Sequence, residues 1–282
     1  MARRQRFSCW LSSRIKLVVA YDGTDFRGWA AQTGRRTVQG TLTDAVRQIS
    51  GEDCEIVGAS RTDSGAHAMA QVCHFEASPG IPPEKWQRVL NNILPSDLRI
   101  VRSSSAQSWF HSRFSAQDRW YRYRIISGSP VPQFMRYAHW EWRVLNLDLM
   151  AEGAKLLEGT HDYRAFTEEL DPTIENTVRK LRQVKVSRAG AEVRIDIVGT
   201  AFLRGMMRRM SGALLEVGLG KRPVGEIARL LEEAGETAIH RPVVLPACGL
   251  TLMKVRYPRR KFDNRDPQHR SERFEGPDTD HE

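Results

Sequence analysis

The sequence predicts an α+β protein made of two successive halves, each an antiparallel sheet with helices packed on one side. Segments that alternate with period two recur along the chain between segments of helical spacing, so each half offers several strands and about two helices. No short-period repeat of the solenoid kind interrupts that order. The 282 residues are 40% hydrophobic and 27% charged, which is enough to bury a core without disulfide or metal staples.

The elements follow in order. Residues 1–13 form a polar, basic extension, and 14–21 (RIKLVVAY) read as a strand turned by Asp22-Gly23. Val38, Leu42, Ala45, Val46 and Ile49 have helical spacing within 37–50, and Gly51 supplies a stop. Strands are expected at 53–57 and 70–76. Pro82-Pro83 opens a helix carrying Trp86, Val89, Leu90, Ile93 and Leu94, and Pro95 closes it. A strand at 98–104 completes the first half, 14–108. In the second half, 109–257, residues 119–126 (RWYRYRII) alternate strongly, with Trp120 and Arg122 on one face and Tyr121 and Tyr123 on the other. A helix over 147–157 is ended by Gly159. Strands 181–186 and 193–198 form a hairpin across Ala189-Gly190. Helices are expected at 201–217 and 224–233, and a closing strand at 250–257. The segment 258–282 is rich in Pro, Arg, Asp and Glu, and the sequence predicts a disordered tail.

Charge narrows the partners. Lys and Arg number 43 against 34 Asp and Glu, a net charge of +9. The tail holds six basic and seven acidic residues, and only Arg3, Arg4 and Arg6 enrich the N-terminus. Most of the excess therefore sits in the folded part, as expected of a protein that meets a polyanion such as nucleic acid. Cys9, Cys54, Cys73 and Cys248 are scattered, with no CxxC spacing, so free thiols in a reducing cytoplasm are expected and a zinc site is not. There is no apolar run of membrane-spanning length, and the N-terminal arginines precede no secretory apolar segment, so neither a membrane span nor a signal peptide is expected. GxGxxG after a strand, a P-loop, HExxH, GxSxG and the HxE/PCxxC deaminase pattern are all missing. Any catalysis is expected to run on side chains, without metal or cofactor.

The informative segment is 59–68, ASRTDSGAHA, a loop between two expected strands. Asp63 lies between Thr62 and Ser64, with Arg61 two residues before it. An aspartate in such a place is often a turn residue. A carboxylate beside an arginine is also how a nucleophilic or proton-handling group is oriented.

This segment resembles the central motif of the tRNA pseudouridine synthase A family, Gly-Arg-Thr-Asp-Ala-Gly-Val-His-Ala. Here it reads Ser60-Arg61-Thr62-Asp63-Ser64-Gly65-Ala66-His67-Ala68, departing at 60, 64 and 66. Further segments resemble the family in family order over 14–257: Tyr21-Asp22-Gly23 with Gly28-Trp29 and Gln32; Val38-Gln39-Gly40-Thr41-Leu42; Phe110-His111-Ser112-Arg113-Phe114-Ser115; Arg119-Trp120-Tyr121-Arg122-Tyr123; Gly159-Thr160-His161-Asp162-Tyr163 with Phe166; Ala201-Phe202-Leu203 through Met206-Met207-Arg208; and Pro246-Ala247-Cys248-Gly249-Leu250.

The resemblance implies the pseudouridine synthase fold, with the active site in a cleft between two α+β halves. It implies an isomerase that needs no cofactor, converting uridine to pseudouridine at positions 38, 39 and 40 of the tRNA anticodon stem-loop, in a homodimer with one RNA bridging both subunits. Asp63 is implied as the catalytic aspartate, either attacking C1′ or assisting elimination to a glycal. Arg61 would pair with it, Tyr121 would stack on the target base and handle a proton, and Arg208 would pair with the carboxylate. Arg204, four residues before Arg208, is expected on the same helix face. Leu250 would line the uracil pocket, and His67, His111 and Arg113 would contact RNA. Two alternatives stay open: the same chemistry at other uridines, and a non-catalytic RNA-binding protein or chaperone on the same fold.

Overall fold

The computed structural model describes residues 13–129, 132–167, 176–233 and 240–258. Most of the basic N-terminal extension, including Cys9, and the polar tail from residue 259 lie outside the described residues. In chain order the elements are β1 (Ser13–Tyr21), α1 (Val38–Ser50), β2 (Val57–Gly58), β3 (His67–Ala77), α2 (Trp86–Asn91), β4 (Leu98–Ala106), β5 (Asp118–Ser127), α3 (Pro132–Met135), β6 (His139–Glu141), α4 (Leu147–Leu156), β7 (Gly159–Asp162), β8 (Val178–Ala189), β9 (Glu192–Gly199), α5 (Met206–Gly218), α6 (Glu226–Glu232) and β10 (Leu250–Arg256).

Local signals explain most boundaries. Thr37 caps α1 by accepting the Gly40 N–H, and Gly51 ends it in the left-handed conformation, φ +73°. Asn146 caps α4 through the Leu149 N–H. The hairpin of β8 and β9 is longer than its apolar core suggested and turns at Gly190, φ +61°.

Several boundaries differ from the sequence expectation, four of them most clearly. Of the expected 53–57 strand only Val57 pairs with β3, together with Gly58 just beyond it. The helix expected from Pro82-Pro83 begins as a single 3-10 turn and becomes α-helical at Trp86. Gly159 does not end α4; it opens β7 at φ +112°. The helix expected from residue 201 begins at Met206, because Gly205 at its N-cap has φ +68°, a conformation that breaks a helix. Arg204 therefore precedes the helix and does not share a helical face with Arg208.

The two half-sheets join. The strand order is β4-β1-β3-β10-β5-β9-β8-β7, with β2 on β3 and β6 on β5. All pairings are antiparallel except β3 with β10 and β5 with β6. Strands β1–β4 lie in the first half and β5–β9 in the second. β10 sits between β3 and β5, held to β3 only at Thr251 opposite His67 and Leu252 opposite Ala68. Register carries one face across this seam: Tyr21, Ala68, Leu252, Tyr121 and Ile197 stand in line. That face is buried. α1 lays Val38, Leu42 and Val46 toward it, α2 sets Trp86 edge-on to Phe75 at 5.1 Å between centroids, and α5 contributes Met206, Met210 and Leu214. Residues of this kind supply the hydrophobic driving force for the fold.

The opposite face is polar. There Asp196, buried, accepts from Trp120 Nε1 at 2.6 Å and from Arg122 Nε at 2.9 Å, as the alternation of 119–126 requires. Cys54, Cys73 and Cys248 are free thiols. Among the described residues no helix is long and apolar enough to cross a membrane, and no group of three or more His, Cys, Asp or Glu is placed to hold a metal.

Candidate active site

The loop between β2 and β3 carries Asp63, and the chain builds it from close backbone contacts. Trp29 N–H donates to Thr62 O at 3.1 Å, Gly65 N–H to Phe26 O at 3.3 Å and Ala66 N–H to Asp63 O at 3.1 Å. The Thr62 hydroxyl meets the Tyr21 hydroxyl at 2.8 Å. The Tyr-Asp-Gly segment lies so close that a Cβ on Gly23 would stand 1.9 Å from Ala66 O. Glycine is required there by backbone proximity.

The Asp63 carboxylate faces a cation from the other half. Arg208 Nη1, in the first turns of α5, stands 3.3 Å from Asp63 Oδ2, with the two side chains 18% and 26% exposed. Arg208 Nε donates to Leu245 O at 2.7 Å, which fixes the guanidinium on the segment leading to β10. The same segment approaches the loop at Gly65, where an added Cβ would lie 3.7 Å from Ala247 Cβ. Partial exposure leaves this pair accessible while its second hydrogen bond limits rotation.

Tyr121 stands on β5, 4% exposed, edge-on to Phe202 at 5.2 Å. Its hydroxyl lies 2.6 Å from Ser60 Oγ. Burial pushes the phenol up to about 12. The Ser60 hydrogen bond and the Arg119 charge pull it back, and the Asp63 carboxylate adds to the rise. The phenol is therefore protonated at neutral pH. Asp63, Arg208 and Tyr121 thus meet at the seam between the halves, each from a different element.

The other sequence-derived residues are distributed around this centre. Arg61 is exposed and, among the described residues, makes no ion pair; the partner of Asp63 is Arg208. Arg204 is exposed, and its carbonyl accepts from the Thr167 hydroxyl at 2.9 Å. Leu250 is buried opposite Tyr123. His67, paired with Thr251 in register, faces the side of the sheet opposite Tyr121. Its Nδ1 accepts the Gly23 N–H at 3.0 Å and its Nε2 lies 3.1 Å from Cys248 O. Burial lowers its pKa, against the opposing pull of Asp22, whose Oδ1 stands 3.2 Å from Nδ1. Asp22 lies beside it. Burial works to raise that carboxyl, but Thr24, Tyr137 and His67 bring it down to about 2. His111 accepts the N–H groups of Arg113 and Phe114, both at 3.2 Å, and stacks on Phe114 at 4.4 Å.

Two features escaped the sequence. Phe114 is 78% exposed, with the Arg113 guanidinium 5.7 Å from its ring centroid. Arg119 is 7% exposed and ties three segments together. It donates to Ala59 O at 3.0 Å, to Arg113 O at 2.7 Å and to Thr200 O at 2.6 Å. Among the described residues no carboxylate pairs with it. Alternation held the signal for Arg119, since it shares the inward face of Tyr121 and Tyr123.

Comparison with known proteins gives the family. The family profile described as tRNA pseudouridine synthase matches residues 17–115 and 154–258. A tRNA pseudouridine synthase A of Brevibacillus brevis is 39% identical over 251 residues, covering 86% of this chain and 99% of the relative. Those of Geobacillus kaustophilus and Akkermansia muciniphila are 36% and 38% identical, covering 88% and 90% of this chain and 95% and 98% of theirs. The chain belongs to the tRNA pseudouridine synthase family.

Proposed function

We propose that the protein isomerises uridine to pseudouridine at positions 38, 39 and 40 of the tRNA anticodon stem-loop, with Asp63 as the catalytic carboxylate. The observation that carries this reading is the Asp63–Arg208 pair beside the buried Tyr121, at a seam to which both halves contribute. The reaction breaks the N1–C1′ bond, turns the uracil and joins C5 to C1′. It is neither an oxidation nor a net hydrolysis, so side chains suffice. Asp63 acts at C1′, by attack or by assisting elimination, and Arg208 orients it. Tyr121, protonated and held in apolar surroundings, packs against the uracil and donates a hydrogen bond. The target nucleotide must leave its stack to reach Asp63. The exposed ring of Phe114, flanked by His111 and Arg113, offers a platform for an unstacked base, and Arg61 and Arg204 offer charge to the backbone.

The enzyme works in the cytoplasm, where free thiols persist, and as a homodimer. The sheet face opposite Tyr121 supports the dimer, with Met69 and Tyr137 exposed around a cavity of about 490 Å³.

The test is tritium release from tRNA labelled with 5-³H-uridine, since forming the C5–C1′ bond expels the C5 hydrogen. Release is expected, with pseudouridine mapped to positions 38, 39 and 40. Modification confined to other uridines would overturn the positional assignment, and no release from a broad tRNA pool would overturn the reaction. Light scattering is expected to give twice the 32.2 kDa chain mass; a single chain mass would remove the dimer.

A further inference from the structure

We infer that Ser60 is a positioning residue for Tyr121, and that its hydroxyl directs the phenol toward the uracil; this rests on the catalytic reading above. The position is one where the chain departs from the family motif it resembles, which has glycine there and so no side chain to offer.

The geometry is specific. Among the described residues the Tyr121 hydroxyl has one hydrogen-bond partner, Ser60 Oγ, at 2.6 Å. Tyr121 is 4% exposed, so water is not a ready substitute. A phenol has one hydrogen to donate and accepts through its oxygen. When Ser60 donates to that oxygen, the phenol hydrogen is turned away from Ser60 and is available to a base lying against the ring. The same bond opposes the effect of burial on the phenol, favouring a polarised O–H.

Ser60 is itself held. Its carbonyl accepts from Gln71 Nε2 at 2.7 Å, and Gln71 is fully buried on β3. Three residues further on is Asp63. The hydroxyl therefore spans the seam, joining the loop that carries the carboxylate to the strand that carries the phenol. A rotation of either element changes both groups together, and the bond restrains that rotation.

The experiment is a double-mutant cycle of Ser60→Ala and Tyr121→Phe, with tritium release from 5-³H-uridine tRNA as the rate. Ser60→Ala is expected to lower kcat about 10-fold and to leave KM within about twofold, because the bond matters for the reacting base and little for tRNA docking. In the Tyr121→Phe background the same change is expected to have no further effect. Undiminished kcat in Ser60→Ala, or an equal loss with and without the phenol, would overturn the role. A second readout does not need activity: the ¹³Cζ resonance of labelled Tyr121 is expected to move in Ser60→Ala, and an unmoved resonance rejects the contact. Wild-type protein that releases no tritium would reject the catalytic reading and this role with it, whereas a working wild type with an additive cycle rejects Ser60 alone.

Discussion

Asp63→Asn is expected to cut tritium release from 5-³H-uridine tRNA by ~10³-fold or more while the protein stays folded and still binds tRNA. Asparagine keeps the volume and an oxygen to accept from Arg208, so the loop has little reason to move. What it loses is the negative charge, the one property that both attack at C1′ and assisted elimination require. The lost ion pair is partly exposed, its side chains 18% and 26% accessible, and costs stability on the order of 1 kcal/mol. A melting temperature close to that of the wild type, with release abolished, separates chemistry from folding. A variant that released tritium at the wild-type rate would remove the carboxylate from the reaction and return the protein to the RNA-binding alternative.

Arg119→Met is expected to be the most damaging single change outside the reacting groups. The guanidinium is buried without a carboxylate among the described residues, and what stabilises it is its set of backbone acceptors at Ala59, Arg113 and Thr200. Methionine fills much of the volume but leaves the carbonyls of Ala59, Arg113 and Thr200, and the more distant one of Ala116, without this donor. We expect a loss of roughly 3 kcal/mol, read as a lower urea midpoint with the slope unchanged. Activity should fall further than stability alone explains, by ~10²-fold at temperatures where the variant is folded. The clamp sets the loop of Asp63 against the loop of Phe114, and small displacements of reacting groups are costly. A midpoint equal to that of the wild type would show that solvent replaces the donor at these carbonyls.

The sequence made the loop of Asp63 legible because its residues are contiguous. Asp63, Thr62 and Gly65 fall within a few positions, and the turn chemistry there is local. The elements around it were legible for the same reason: Thr37 and Gly51 mark the ends of α1, and alternation in 119–126 separates Trp120 and Arg122 from the tyrosines. What periodicity and spacing left hidden was set at long range. The pairing of Arg208 with Asp63 spans 145 positions, and only the resemblance to a family motif pointed to it. The sequence starts α5 too early because Ala201, Phe202 and Leu203 extend its apolar run, whereas in three dimensions Phe202 lies edge-on to Tyr121 before the helix begins. The seam was hidden because β10 alternates like any strand, and alternation gives a face without naming a neighbour. His67 shows a related limit. Its position in the motif put it near Asp63 along the chain, but period-two geometry turned it to the other side of the sheet.

The placement of β10 bears on how the molecule is made. During synthesis β1 to β4 emerge first and can pair among themselves, and β5 to β9 follow as a second set. The strand that stands between β3 and β5 leaves the ribosome after both. Until it arrives, each nascent sheet has an open border of unpaired backbone groups, the kind that templates association with another chain. The segment just ahead of β10 supplies Leu245 O to Arg208, so the carboxylate and its cation are not locked together until that point either. A nascent chain of this protein brings its proposed site together only at the step that closes its sheet.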